Sequence, residues 1–160
     1  MLNLSLNKKI LYEVNDSKDA FFSLLRSEMN MPFRYEKVSG RFTSENHFEL
    51  IPKHLSDYLF GMRVSPKTVL IKGTVLEEKD DLIIQIVFQP HFVFKLMFYF
   101  FLLMTPLELL GISFMEVNDR YLLILICILG CAMALAMILI NIYWAKYQFE
   151  RMLHGYIFKI

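Results

Sequence analysis

The chain has 160 residues, with 17 Lys/Arg against 16 Asp/Glu, 56% hydrophobic residues and two cysteines. A near-neutral balance argues against a protein whose main task is gripping a phosphate backbone, which needs a basic face, so no nucleic-acid partner is expected. The two cysteines lie late in the chain and cannot staple a secreted disulfide scaffold, and the length is short for two globular domains.

The first ten residues lack a continuous apolar core and a small-residue cleavage site, so they do not read as a signal peptide. The domain that follows is therefore expected to stay on the side where it is made. Lys8 and Lys9 are too few for a polybasic membrane anchor. Lys9 to Val14 read as a first strand. Asp16-Ser17 offers a helix N-cap, Asp19 places an acid in the first turn, and Phe21, Phe22, Leu24, Leu25 and Met29 give one apolar face. A helix over 17–29 is expected to stop before Pro32.

From Phe33 the pattern is mostly period two. Val38, Gly40 and Phe42 alternate, then Phe48 and Leu50 do so after Ser44-Glu45-Asn46, which reads as a hairpin. A second hairpin runs from Val69 through Val75, turns over 77–81, and returns from Leu82 to Phe88. Gly40 and Gly73 fall inside strand patterns and mark a bulge or a close backbone approach. Residues 57–64 suit another strand or a short helix. The apolar cluster Ile83, Ile84, Ile86, Val87 and Phe88 implies a strand covered on both faces, or one with a face against lipid or a partner. Residues 1–91 thus read as an α+β domain, with one helix and a mainly antiparallel sheet of four to six strands. It is followed by a two-helix transmembrane hairpin and a short C-terminal helix.

The hairpin is the dominant signal. Residues 92–115 carry only Lys95 and Glu108, and 121–144 carry no charge. Each run suits one crossing of roughly 30 Å of hydrocarbon, and 116–120 form the turn. That turn holds Arg120, whereas Lys79, Lys95, Lys146, Arg151 and Lys159 flank the other ends, so both termini are expected on the cytoplasmic side of the inner membrane. Tyr143, Trp144 and Tyr147 fit the cytoplasmic interface and Tyr121 the other, and Lys95 can snorkel back toward headgroups. The tail, 145–160, continues as an amphipathic helix that lies on lipid or, preferably, docks on the sheet domain.

Gly40-Arg41-Phe42, His47-Phe48-Glu49-Leu50, Leu59-Phe60-Gly61 and Ile71-Lys72-Gly73-Thr74-Val75 resemble small bacterial two-helix membrane proteins with an N-terminal β-rich domain. The resemblance implies this order of elements and supplies no functional residue.

Within the apolar runs, Glu108 stands out, because an acid at a helix centre costs roughly 2.5–3.5 kcal/mol on insertion scales, less toward an end. Thr105 and Gly111 share its face, and Pro106 frees a backbone carbonyl beside it. Glu108 reads as an ion or proton site, a contact to another subunit, or a carboxyl bonded to a neighbouring helix. It is expected level with Cys127 to Cys131. Cys127, Gly130, Cys131 and Ala134 form a small-residue stripe that packs on the first helix or on a second copy. A metal role for the cysteines lacks further ligands. Asn141 is expected to bond within the molecule. His47, His54, His91 and His154 have no metal-ligand spacing, and His91 sits at the domain–membrane junction.

No phosphate loop, nucleophile elbow or metal-binding helix motif occurs, so no catalytic residue, metal or cofactor is assigned. The expected function is that of a membrane-anchored interaction or accessory subunit. Its cytoplasmic domain would bind a protein or ligand, in a complex with a membrane protein or with further copies of itself. The alternative is an oligomeric pore with Glu108 in the path, and an enzyme would need a cleft at the boundary between domain and lipid.

Overall fold

The structure, a computed structural model, describes residues 6–30, 38–52, 69–78, 81–110 and 117–159. Among them, β1 (Lys8–Val14), α1 (Lys18–Met29), β2 (Val38–Ser44), β3 (His47–Pro52), β4 (Val69–Glu78) and β5 (Asp81–Pro90) precede two long helices, α2 (Phe92–Leu109) and α3 (Val117–Met152), and a last strand β6 (Ile157–Lys159). The expected element at 57–64 lies outside the described residues.

The strands make one antiparallel sheet in the order β2-β3-β4-β5-β1-β6. Strands β2 to β5 form a meander, whose two hairpins follow the alternation in the sequence. The chain leaves β1 through α1 and enters the meander at its far edge, so β1 closes against β5, with Ile10 opposite Ile86 and Tyr12 opposite Ile84. Period two puts Ile10, Tyr12, Phe48, Leu50, Ile71, Val75, Ile84, Ile86 and Phe88 on one buried face. The other face is only half covered. The apolar run in β5 thus has one face in the core and one open, with Leu11 and Leu76 exposed on the open side.

Two helices share the buried face. Helix α1 starts at Ser17, whose hydroxyl accepts from the Ala20 amide at 3.3 Å, and sets Phe21 and Phe22 against Phe48 and Phe42. The other half is filled by the end of α3. Phe149 is fully buried, with ring centroids 5.7 Å from Tyr12 and 6.3 Å from Phe88. The Tyr12 hydroxyl donates to Glu150 Oε1 at 2.9 Å. Burial first, and then that carboxylate, hold the phenol far above its usual range.

Both suspected glycines are places of close approach. The Phe48 ring lies where a Cβ on Gly73 would go, and a Cβ on Gly40 would stand 2.5 Å from the Glu49 carbonyl oxygen. The one irregularity of the β2–β3 pairing falls between Phe42 and Ser44.

Two boundaries differ from expectation. Helix α2 closes at Leu109 and α3 opens at Val117, so Val117–Arg120 are helical, not a turn. No Gly or Pro interrupts them, whereas Pro106 and Gly111 punctuate the end of the first run. The tail also differs. Helix α3 continues only to Met152, and the chain then turns through Gly155, whose φ of +90° suits glycine. Residues 157–159 pair with β1, and the Asn15 amide donates to the Tyr156 carbonyl at 3.1 Å. The expected C-terminal helix is therefore the last turns of α3 followed by a strand.

Candidate functional site

A cleft of about 760 Å³ lies at the corner where the open face of the sheet meets the start of α2. Its sheet wall carries Arg41, Glu49, Ile51 and Leu70, and its other wall carries His91, Phe92 and Lys95. Strand register builds the polar part. Arg41 pairs with Glu49 and Glu49 with Lys72 across three adjacent strands. Arg41 Nε and Nη2 both donate to Glu49 Oε2, at 3.2 and 3.0 Å, and Lys72 Nζ stands 3.6 Å from Oε1. The Arg41 hydrogen bond is the main reason why the Glu49 carboxyl titrates below the usual carboxylate range, with Lys72 adding to it.

The second wall is placed by a connection without slack. Pro90 ends β5, His91 caps α2, and its Nδ1 accepts from the Val93 amide at 3.4 Å. One turn on, Lys95 reaches back toward the sheet domain and donates to Asn7 Oδ1 at 2.8 Å.

The two helices have the length and composition to cross a membrane, with mean hydropathies of 1.7 and 3.1. Only 11% and 17% of these apolar windows are buried, so the core of a soluble protein does not account for them. In α2, Phe98, Phe101, Thr105 and Glu108 turn toward α3. In α3, Cys127, Gly130, Cys131 and Ala134 turn toward α2, and a Cβ on Gly130 would stand 2.8 Å from the Phe101 ring. The small stripe thus lets the two backbones approach within the hairpin. Both cysteines are free thiols.

With Phe101 beside Gly130, Glu108 lies about two turns nearer the connection, level with roughly Leu123 and Ile124. Glu108 is 4% exposed and its Oε2 has no hydrogen-bond partner. Thr105 does not reach it, because its hydroxyl donates to the Phe101 carbonyl at 2.8 Å. Asn141 likewise donates to the Met137 carbonyl of its own helix at 2.8 Å. The structure therefore leaves Thr105, Glu108 and Asn141 as three separate polar groups. Among the described residues no cluster of His, Cys, Asp and Glu could hold a metal ion.

The sequence reading missed the cleft. Arg41, Glu49 and Lys72 are ordinary polar positions on alternating strands, and only the strand register brings them into one row. His91 and Lys95 did stand out at the junction, without their counterparts on the sheet. In comparisons with family models, curated proteins and solved structures, no match to the chain is found.

Proposed function

We propose that the chain is a two-pass membrane protein with both termini in the cytoplasm, whose sheet domain is a docking module held in fixed orientation on the membrane surface. The observation that carries this reading is α3. Its 36 residues span about 54 Å, and a crossing uses about 30 Å of that. Of the remaining turns, those at the C-terminal end fill the core of the sheet. Two further features support it: the apolar belt that α2 and α3 turn outward, and the Lys/Arg excess at the sheet end of the hairpin. A domain held in this way meets membrane-bound partners at raised effective concentration. Its open sheet face, with Leu11 and Leu76 exposed, is the surface left for them.

Two measurements test this. Alkaline carbonate extraction should leave the protein in the membrane pellet. Single cysteines at positions 118 and 9, in a background lacking Cys127 and Cys131, should react from outside and only after permeabilisation, respectively. Release into the soluble fraction, or labelling of both positions from one side, refutes the reading. Photocrosslinkers at Leu76 and Leu11 should then give one discrete adduct.

The pore reading draws on the unpartnered Glu108 oxygen. Against it, Glu108 faces into its own hairpin and not toward a lumen that further copies would line. Glu108→Gln discriminates, because docking predicts that assembly and function persist, whereas conduction predicts lost flux in an intact assembly.

A further inference from the structure

The cleft between sheet and α2 has a composition that the docking function does not use. Arg41 has five N–H donors and Lys95 three. Two of the Arg41 donors are spent on Glu49 and one of the Lys95 donors on Asn7. Both side chains therefore keep donors at the cleft wall. Glu49 is the carboxylate among the described residues of that wall, and it is already flanked by two cations, Arg41 at 3.0 Å and Lys72 at 3.6 Å. The lining itself carries Arg41 and Lys95 against Glu49, a surplus of one positive charge, and Lys72 stands beside it on the next strand. Beside this polar part lie Ile51, Leu70 and Phe92. Phe92 is the first residue of the apolar helix α2 and is 67% exposed.

We propose that this cleft binds the headgroup of an anionic phospholipid. Arg41 and Lys95 would donate to the phosphodiester oxygens, and Ile51, Leu70 and Phe92 would receive the glycerol and the first methylenes. The inference rests on the membrane reading above, which puts the start of α2 at headgroup level. Arginine gives a phosphate a planar, directional donor set, and lysine a compact charge. Size agrees, since about 760 Å³ falls in the usual range of small-molecule sites. Charge selects among lipids. A zwitterionic headgroup would bring its own ammonium into a cleft with surplus positive charge, whereas an anionic one neutralises part of that surplus. Glu49, held ionised by Arg41, would fix the arginine plane and so act as a positioning residue.

The test uses the full chain in detergent, after carbonate extraction has established whether it is membrane-embedded. Dihexanoyl phosphatidylglycerol, dihexanoyl phosphatidylcholine and inorganic phosphate are titrated separately, and binding is read by native mass spectrometry. The wild type should prefer the anionic lipid over the zwitterionic one by at least roughly tenfold. Each of Arg41→Gln and Lys95→Gln should reduce that preference about five- to tenfold, the scale of one net hydrogen bond. The Arg41 side chain is 76% exposed, so its replacement does not disturb the core. Lys9→Gln removes the same charge outside the cleft and should leave the preference intact. Equal affinity for both lipids, or a preference that survives both cleft variants, overturns the site. So does inorganic phosphate that binds as tightly as the lipid, because the ligand would then be a free phosphate. A protein released by carbonate refutes the membrane reading itself, whereas a retained protein without lipid preference refutes only the cleft.

Discussion

Phe149→Ala should detach the end of α3 from the sheet while leaving the apolar hairpin in place. The ring is fully buried, between Tyr12 and Phe88, and removing such a side chain costs about 3–5 kcal/mol. That corresponds to a factor of roughly 10² to several 10³ in the docking equilibrium. The turns beyond Trp144 amount to fewer than ten residues of helix, too short to hold together alone in water. Undocking should therefore let them fray. Trypsin reports this directly, because Lys146 and Arg151 lie in these turns. Where opening and closing outpace cleavage, the cutting rate follows the open population. Cleavage at both sites in the detergent-solubilised protein should rise by about the factor above, and β6, still paired with β1, should slow release of the fragment. Tyr147→Ala, at an exposed position of the same turns, serves as the control and should change little. An unchanged cleavage rate in Phe149→Ala would mean that Phe149 does not anchor the helix, and the proposal that the domain is held in fixed orientation would fall with it.

Gly73→Ala should destabilise the sheet domain by roughly 1–3 kcal/mol, as overpacking does, because the Phe48 ring occupies the space of the new methyl group. Phe48→Leu should recover part of that loss in a double-mutant cycle read by thermal unfolding. Gly130→Leu should push α2 away from α3 at Phe101 and lower the thermal midpoint of the solubilised hairpin, while a substitution at the outward-facing Met133 should not. Glu49 has a lowered pKa in the folded state, so its contribution to stability is present above the unfolded value near 4.3 and is lost as pH falls through the folded value. Carboxyl NMR should show it titrating below that value, and Arg41→Gln should move the midpoint back up, because the Arg41 hydrogen bond is the main cause.

The elements most legible in the sequence are those set by local pattern. Asp16-Ser17 and Asp19 announced the start of α1, and alternation gave both hairpins of the meander, although the apolar run of β5 left open whether one or both of its faces are covered. The position of β1 beside β5 was not legible, because a strand that closes a sheet from a distance carries the same alternation as one that pairs locally. The end of the chain misled for a similar reason. The residues after Trp144 have an apolar face that suits a helix, and they do form one as far as Met152, but Gly155 is the stop signal that separates this helix from β6. Among the candidate residues, small size at Cys127, Gly130 and Ala134 was enough to indicate a packing stripe. The choice between its own hairpin and a second copy depended on the placement of Phe101. Charge pairing in the cleft was hidden, because Arg41, Glu49 and Lys72 lie on three different strands and become neighbours only through register.

The way the domain is attached decides what it can do in the membrane reading. A domain joined to its anchor by one flexible linker samples a wide volume and any orientation. Here two connections run between the sheet and the helices, and neither has slack. Strand β5 passes into α2 through His91, which is itself fixed as the helix cap, and α3 enters the core without a break in the helix. Lys95 adds a side-chain tie to Asn7 just ahead of β1. Since α1 and α3 cover the same face of the sheet, the open face carrying Leu11, Lys72 and Leu76 takes its direction from the helices, and it ends at the cleft beside α2. A partner on that face would therefore meet the protein in one orientation relative to the bilayer.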